Sequence, residues 1–173
     1  MLNKMKISEV IKKRRSIRRF SCKKIEDSKI MKVLEAGRWA PSGYNNQPWR
    51  FLVIKNKRIL GQIAELTNKW DEKTINNSSI CILVYLDKNS ANNAEQDNLS
   101  IGACIQNILL EACCQKLGAC WVCGVLKNKD KINKMLKMPK NLELKSLISV
   151  GYPAENPKVP RKNLKSLIIK EIK

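Results

Sequence analysis

The spacing of apolar positions predicts several helices, of which the one over residues 96–117 is the clearest. There Ile101, Ile105 and Ile108 recur at steps of four and three, so they share one face of a helix. Gly118 is expected to end this helix, because glycine adopts the left-handed conformation of a helix C-terminus without strain. Shorter helices are predicted over residues 7–13, 26–39 and 57–68, and from a cap at Asn128 to about residue 137.

Apolar runs without alternation predict strands that are buried on both faces. Two such runs cover residues 80–86 and 119–126, and residues 51–54 and 142–150 predict two more strands. The elements follow no strict βαβ repeat, which favours an α+β sandwich with helices on both sides of a four- or five-stranded sheet. The long helix is so apolar that we expect a second subunit to cover part of it. The tail over residues 164–172 is also apolar enough to pack against another surface.

Length and composition indicate a single domain over residues 1–173, because 43% of the chain is hydrophobic and a core of ordinary size fits this length. The longest apolar run, residues 80–86, is much shorter than the roughly 20 residues that span a bilayer. Residues 1–13 alternate lysine with apolar residues and lack the apolar stretch of a secretory signal. We therefore expect a cytoplasmic protein without a membrane partner.

The charge is strongly positive, since 34 lysines and arginines face 15 acidic residues for a formal net charge of +19. Phosphate contacts dominate nucleic-acid affinity, so a basic nucleic-acid-binding module is one interpretation. However, the lysines are spread from Lys4 to Lys173 rather than gathered in one segment. This distribution favours a solvated surface, and no nucleic-acid partner is expected.

The absence of histidine excludes histidine-based zinc sites, Ser–His and Cys–His dyads and histidine general bases. The seven cysteines are an odd number without a signal peptide, which favours free thiols in a reducing compartment. Cys81, Cys104 and Cys120 lie in apolar runs and are expected to be buried. Cys120 and Cys123 form a C-x-x-C pair, but residues three apart in a strand point to opposite faces, and no second pair completes a metal site. No metal is predicted.

Irregular segments carry the candidate chemistry. Arg14, Ser16 and Arg18 alternate along one segment, so an extended backbone points two guanidinium groups and a hydroxyl the same way, which suits an anion such as phosphate. The loop of residues 40–49 has two prolines and three carboxamides suited to the edge of a planar heterocycle, although a plain surface turn is the alternative. Glycines at 118 and 124 are expected to let a ligand approach the backbone, and residues 151–162 end in a second basic pair.

Together these segments resemble the FMN-dependent nitroreductase family. The matching motifs are R-R-S-x-R-x-F at 14–20, A-P-S-x-x-N-x-Q-P-W at 40–49, G-A-x-x-Q-N at 102–107, L-G-x-C-W-x-x-G at 117–124 and G-Y-P-x-E-x-P at 151–157. Each motif alone is weak, but five in the family's order identify a short member. The resemblance implies a nitroreductase-like α+β sandwich with a small mixed, mainly antiparallel sheet flanked by helices, assembled as a homodimer with FMN at the subunit interface.

The resemblance also implies roles for individual residues. The residues that would bind the FMN phosphate are Arg14, Arg15 through its backbone, Ser16, Arg161 and Lys162. Arg18 would lie near the pyrimidine end of the flavin, where a cation stabilises the reduced cofactor. The residues that would reach the flavin from the other subunit are Pro41, Ser42, Gly43 and Asn45. Gln47 would support that loop, and the backbone amides at Cys123 and Gly124 would face flavin N5 and O4.

The implied activity is hydride transfer from NAD(P)H through the flavin to a nitroaromatic, a quinone or a similar small aromatic acceptor, with no catalytic side chain because the cofactor carries the chemistry. The alternative is an FMN-binding storage or sensor protein without such turnover.

Two departures from the family concern the acceptor side. The link between Leu86 and Gln96 is short where longer members carry covering helices, and residues 71–74 stand where many members place an Asn and a Lys near the ring, so that Lys73 is a candidate substitute. Trp70 is interpreted as a packing residue, with a substrate-side role as the alternative. Trp49 and Trp121 are predicted to be core residues.

Overall fold

The computed structural model describes residues 6–172. Residues 1–5 of segment 1–13, which was predicted not to be a secretory signal, lie outside the described residues. The helices are α1 (Ile7–Lys13), α2 (Asp27–Arg38), α3 (Lys57–Glu65), α4 (Lys69–Asn77), α5 (Ala94–Cys114) and α6 (Lys129–Met135). The strands are β1 (Trp49–Ile54), β2 (Ile80–Asp87), β3 (Gly118–Val122) and β4 (Leu142–Gly151). Short 3₁₀ turns lie at residues 43–45, 124–128 and 164–167.

The four strands form one sheet in the order β1-β2-β4-β3, and every neighbouring pair is antiparallel. The central strand β2 is buried along its whole length because both of its faces are covered. Ile82 and Val84 pack under α2 and α5, whereas Leu83 and Tyr85 pack with α3, α4 and α6 on the other face. The predicted α+β sandwich with a small, mainly antiparallel sheet and helices on both sides is confirmed.

Helix α5 has the predicted apolar face, since Ile101, Ile105 and Ile108 are almost fully buried. Its end differs from the prediction. Lys116 takes the left-handed conformation with φ 60°, and the Leu117 N–H donates to the carbonyl three residues inside the helix end, as in a Schellman motif. Gly118 therefore does not end the helix but begins strand β3.

Strand β3 is shorter than predicted. The apolar run continues to Leu126, but the backbone turns at Cys123, whose φ of −95° and ψ of −17° are helical. Val125 is fully buried from within the 3₁₀ turn that follows, so hydrophobicity alone did not distinguish a strand from a buried turn.

Helix α4 was not predicted as a separate element. Residues 57–68 were expected to form one helix, yet α3 ends at Glu65 and Asn68 caps α4 by accepting hydrogen bonds from two N–H groups of its first turn. This capping asparagine is the sequence signal that was missed. Asn128, expected to cap α6, instead donates its side-chain amide to the carbonyl of Leu66 at 2.8 Å and thereby joins α6 to the end of α3.

The C-terminal tail does not bury the apolar residues that its composition offers. Leu164, Leu167, Ile168, Ile169 and Ile172 are each more than half exposed in the single chain. Within residues 6–172, no helix is both long and apolar enough to cross a membrane.

Candidate functional site

Residues 14–20, called the basic arm here, lie along the free edge of strand β3. Ser16 forms an isolated parallel bridge with Ala119, and the Ile17 N–H donates to the Ala119 carbonyl at 3.0 Å. Ile17 is buried at 7% exposure, while Ser16 and Arg18 on either side of it are only half-buried. The expected alternation is therefore present, with the apolar side chain turned inward and the polar ones left accessible.

Two glycines allow the basic arm to lie this close to the sheet. A Cβ atom at Gly118 would stand 2.7 Å from Ile17 Cγ2, and one at Gly151 would stand 2.7 Å from the ring of Phe20. Both distances are shorter than any carbon–carbon contact tolerates. The prediction that Gly118 makes room for a ligand is wrong, because the space beside it is filled by Ile17.

Glu155 holds the middle of the basic arm. Its carboxylate accepts hydrogen bonds from the Arg18 N–H at 2.6 Å, the Arg19 N–H at 3.1 Å and the Arg19 guanidinium at 3.1 Å. Burial acts to raise the pKa of Glu155, but these donors outweigh it and lower the pKa below its usual value. The motif G-Y-P-x-E thus fixes the backbone on which Ser16 and Arg18 are carried.

Positive charge accumulates where the basic arm begins. Burial, followed by the neighbouring Arg161 and Arg15 guanidinium groups, lowers the pKa of Arg14. Among residues 6–172, no carboxylate pairs with any of these three arginines. The Arg15 guanidinium donates to the Lys12 carbonyl at 2.6 Å, and its buried Nε has no partner in the described chain. Arg161, from the far end of the sequence, is therefore near enough to Arg14 for its positive charge to affect it.

A second cluster surrounds Arg18 near the end of strand β3. The Arg18 guanidinium lies 5.8 Å from the centre of the Trp70 ring, in a cation–π arrangement. Trp70 is 67% exposed, so its interpretation as a packing residue is wrong. A Cβ atom at Gly124 would collide with the Asp71 carboxylate and lie 2.8 Å from the Asn68 amide. Asp71, rather than Lys73, therefore lies against Gly124.

The cysteines beside this cluster are free thiols. Cys120 of strand β3 is buried, and so are Cys81 of β2 and Cys104 of α5, as predicted. Cys123 is exposed. Burial and then the Asp71 carboxylate raise the pKa of Cys123, so its thiolate is disfavoured. Trp49 is buried at 4% exposure, so its prediction as a core residue is confirmed. The same prediction for Trp121 is wrong, because Trp121 is 40% exposed.

Residues 41–48, called the Pro-Asn loop here, have an unusual backbone. Tyr44, Asn45 and Gln47 all take positive φ, at 50°, 55° and 45°. The loop is held from within, because the Gln47 N–H donates to Ser42 Oγ at 3.0 Å and the Gln47 side chain donates to the Asn45 carbonyl at 3.2 Å. The predicted supporting role of Gln47 is confirmed. Non-glycine residues in this conformation are costly and cluster at functional loops.

A buried carboxylate anchors the Pro-Asn loop to the start of α5. Asp97 is 1% exposed and accepts from the Asn46 side chain at 2.7 Å and from the N–H groups of Asn92 and Asn93 at 2.8 and 2.9 Å. Gly43 packs against the same helix, because a Cβ atom at Gly43 would lie 3.2 Å from Gln96 Oε1. Neither Asn46 nor Asp97 was predicted, although a carboxylate in an otherwise apolar helix face was a usable signal.

The basic arm and the Pro-Asn loop lie at diagonally opposite corners of the sheet. Ala119 pairs with Val150, and Val150 with Ile80, at one end of β2, whereas Trp49 pairs with Leu86 at the other end. Six residues along β2 and three strand spacings place the two corners about 25 Å apart. Within one chain the structure therefore does not bring together the two sets of residues predicted to share a ligand.

Comparison with known proteins agrees across sequence and structure. The sequence model described as Nitroreductase family matches residues 11–152. A protein of Methanothermobacter thermautotrophicus, provisionally named an NADH dehydrogenase/NAD(P)H nitroreductase, is 32% identical over 90% of this chain and 82% of its own length. One from Archaeoglobus fulgidus with the same name is 33% identical over 85% of each chain.

A solved structure gives the same result in three dimensions. The crystal structure of a provisionally named nitroreductase from Desulfovibrio desulfuricans, in complex with FMN, superposes with a TM-score of 0.92. The two sequences are 34% identical, and the superposition covers 97% of this chain and 98% of that one.

Proposed function

Because this chain belongs to the nitroreductase family, we propose that it is an FMN-dependent oxidoreductase that takes hydride from NAD(P)H and passes it to a nitroaromatic, a quinone or a similar small acceptor. FMN supplies the redox chemistry when bound, by accepting a hydride and returning the electrons to a second substrate. The residues of this chain bind the cofactor, orient it and set the charge around it. No catalytic side chain is required.

The cluster of arginines at the start of the basic arm is the observation that carries this proposal. The charges of Arg15 and Arg161 lower the pKa of Arg14, no carboxylate among the described residues pairs with any of the three, and each would gain from a dianionic phosphate placed among them. Ser16 adds a hydroxyl donor on the accessible side of the arm, and Lys162 adds a further cation. The uncompensated positive charge and the unpartnered Arg15 Nε fit the phosphate end of FMN.

Cys123 and Gly124, just beyond the end of β3, would hold the ring of the cofactor. Their backbone amides are the proposed donors to flavin N5 and O4, where negative charge arrives during reduction. Arg18, braced by Trp70, is the proposed cation at the pyrimidine end. The Asp71 carboxylate against Gly124 opposes it, so the site balances one positive and one negative charge beside the ring.

A homodimer completes this site. Pro41, Ser42, Gly43 and Asn45 are proposed to reach the flavin from the second copy, because their own basic arm lies about 25 Å away at the other corner of the sheet. The exposed apolar residues of the C-terminal tail, and Ile7 and Ile11 on α1 at 79% and 52% exposure, are the surface that a second copy would cover.

The proposal is tested by the colour and the reduction of the purified protein. A yellow preparation whose visible flavin band bleaches on addition of NADH or NADPH without oxygen, and returns on addition of a nitroarene or quinone, supports an oxidoreductase. A yellow protein that does not bleach with either nucleotide supports the storage or sensor alternative. A colourless protein that does not take up added FMN would refute flavin binding altogether.

Arg14→Ala tests the phosphate site. Loss of one charged hydrogen-bonding partner of the phosphate is worth about 1.5–3 kcal/mol, so FMN should bind roughly tenfold to a hundredfold more weakly. Arg58→Ala is the matched control, because Arg58 is an exposed arginine on α3 with no ion pair among the described residues. Equal FMN affinity of the two variants, measured by fluorescence titration, would remove Arg14 from the site.

Mixing two defective chains tests the shared interface. Arg14→Ala disables the arm, and Asn45→Asp keeps the size of the loop side chain while placing a charge against the flavin. In a mixed dimer, one site contains both defects and the other contains a natural arm and a natural loop, so flavin should return to one of the two sites of each mixed dimer. No restoration would show that arm and loop serve the same site within one chain.

A further inference from the structure

A cleft of 590 Å³ lies beyond the end of the basic arm, on the side away from strand β3. Its walls are the segment that joins Phe20 to Ile25, the start of α2, and the ends of β1 and α4. The volume falls within the roughly 300–1,000 Å³ of typical small-molecule sites. None of the residues assigned to the flavin lines it, so it is a separate feature, called the lysine cleft here.

The floor of the lysine cleft is apolar and continuous with the core. Ile30 of α2 and Ile80 of β2 are each 5% exposed, and Ile25 packs against the same cluster. Phe20 forms the end of the floor, where its ring is held against Gly151. An apolar body placed on this floor would be removed from water, which is favourable in proportion to the area covered.

The walls of the cleft are tied in place by hydrogen bonds. Ser79 Oγ donates to the Lys23 carbonyl at 3.1 Å, and the Ser21 N–H donates to the Tyr152 carbonyl at 2.9 Å. A salt bridge of 2.6 Å between Lys55 and Asp27 joins the end of β1 to the start of α2. The cleft is therefore preformed, and a ligand would not have to order it.

The rim of the cleft is strongly positive. Four lysines line it, and Asp27, already paired with Lys55, is the only acid among its lining residues. Lys57 donates to the neutral carbonyl of Ser78, and Lys24 has no carboxylate partner within the described chain. An anion at this rim would be attracted by charges that the protein itself leaves unpaired.

We propose that the lysine cleft binds a small amphipathic anion, a carboxylate or sulfonate carried on an aromatic or short aliphatic body. The acid group pairs with Lys24 and Lys57 at the rim, and the apolar body covers Ile30 and Ile80 on the floor. An inorganic anion makes no apolar contact with the floor, and a neutral apolar molecule leaves the lysines unused. Only a ligand with both parts uses both features.

The first experiment compares two probes of the same shape on the flavin-loaded protein by isothermal titration calorimetry. Anilinonaphthalene sulfonate has the aromatic body and the charge, whereas phenylnaphthylamine has the body alone. The sulfonate should bind at one site per chain and about tenfold more tightly than the neutral probe. Equal affinity for the two would overturn the assignment of an anion.

Two pairs of substitutions locate the charge. Lys24→Gln with Lys57→Gln should weaken the sulfonate about fivefold at moderate ionic strength. Lys32→Gln with Lys131→Gln removes the same net charge from exposed positions outside the cleft and should leave binding unchanged. An equal loss in both double variants would show attraction by the overall charge and would overturn the proposal.

Filling the cleft tests its volume independently. Ser21→Trp enters from one wall and Asn77→Trp from the opposite wall, both at exposed positions, so at least one should fold normally. Either variant should abolish sulfonate binding while the visible flavin band stays intact. Unchanged binding in a folded variant would refute the cleft as the site. The flavin band reports separately on the proposed oxidoreductase site, so failure of one proposal is distinguishable from failure of the other.

Discussion

Gly118→Ala should detach the basic arm from the sheet. The new Cβ atom would lie 2.7, 2.8 and 2.9 Å from Cγ2, Cβ and Cγ1 of Ile17. Because one of these is the β-carbon of a branched residue, no rotation of the side chain relieves the contact, and the backbone that carries Ser16 must move. Overpacking of this kind costs about 1–3 kcal/mol. At 2–4 °C per kcal/mol for a chain of this size, the melting temperature should fall by roughly 2–12 °C.

The matched control is Gly61→Ala in the middle of helix α3. There the nearest atom to the new Cβ is Asn76 Oδ1 at 4.0 Å, so alanine meets no obstacle and should stabilise the helix by about 0.5–1 kcal/mol. Thermal unfolding of both variants without FMN, followed by FMN titration, measures the two effects. Gly118→Ala should also bind FMN more weakly than Gly61→Ala. A rise in melting temperature for both variants would refute the close packing of arm and sheet.

The remaining predictions concern the arm, the loop, the thiols and the cofactor. Glu155→Gln should weaken FMN binding and make stability less dependent on pH in acid. Because folding lowers the pKa of Glu155, its carboxylate stabilises the fold at pH values above the unfolded pKa near 4.5, and this stabilisation is lost as the pH falls through the folded pKa. Urea unfolding at several pH values would measure the difference. Asn46→Ala should cost about 1–3 kcal/mol in urea unfolding, since buried Asp97 loses a donor; a loss under about 0.5 kcal/mol would contradict this. Changing Cys120 and Cys123 together to serine should preserve turnover, and a yellow but inactive variant would restore a redox role for the pair. FMN at about a hundred times its dissociation constant should stabilise the fold by roughly 2.7 kcal/mol; a melting temperature independent of FMN would contradict binding.

Local patterns were sufficient for most of the elements because they depend on neighbours in the chain. The apolar stripe of α5 and the unbroken apolar run of β2 both report which faces are covered, and both were predicted correctly. Hydrophobicity failed as a guide around the end of strand β3, where burial and strand structure do not coincide. Val125 and Trp121 are examples, since one is buried without being in a strand and the other is in a strand without being buried.

For the candidate site, too, local motifs indicated part of the chemistry and long-range contacts supplied the rest. The order and residue types of the motifs indicate phosphate binding at Arg14 and Ser16, because guanidinium and hydroxyl donors suit that group wherever they lie in a fold. That Arg161 lies near enough to Arg14 to lower its pKa, and that Glu155 accepts from the Arg18 N–H, depends on the approach of residues more than 130 positions apart in the chain. Such contacts have no local signature.

Periodicity and side-chain chemistry along the chain were enough to predict the kinds of element, the helical faces that become core and the groups available to bind an anion. Contacts between distant segments established that Gly118 accommodates Ile17, that Asp71 lies against Gly124, and that the arm and the loop occupy opposite corners of one sheet. Close packing joins residues by distance in space, which strand order and register set and which no short segment of the chain contains.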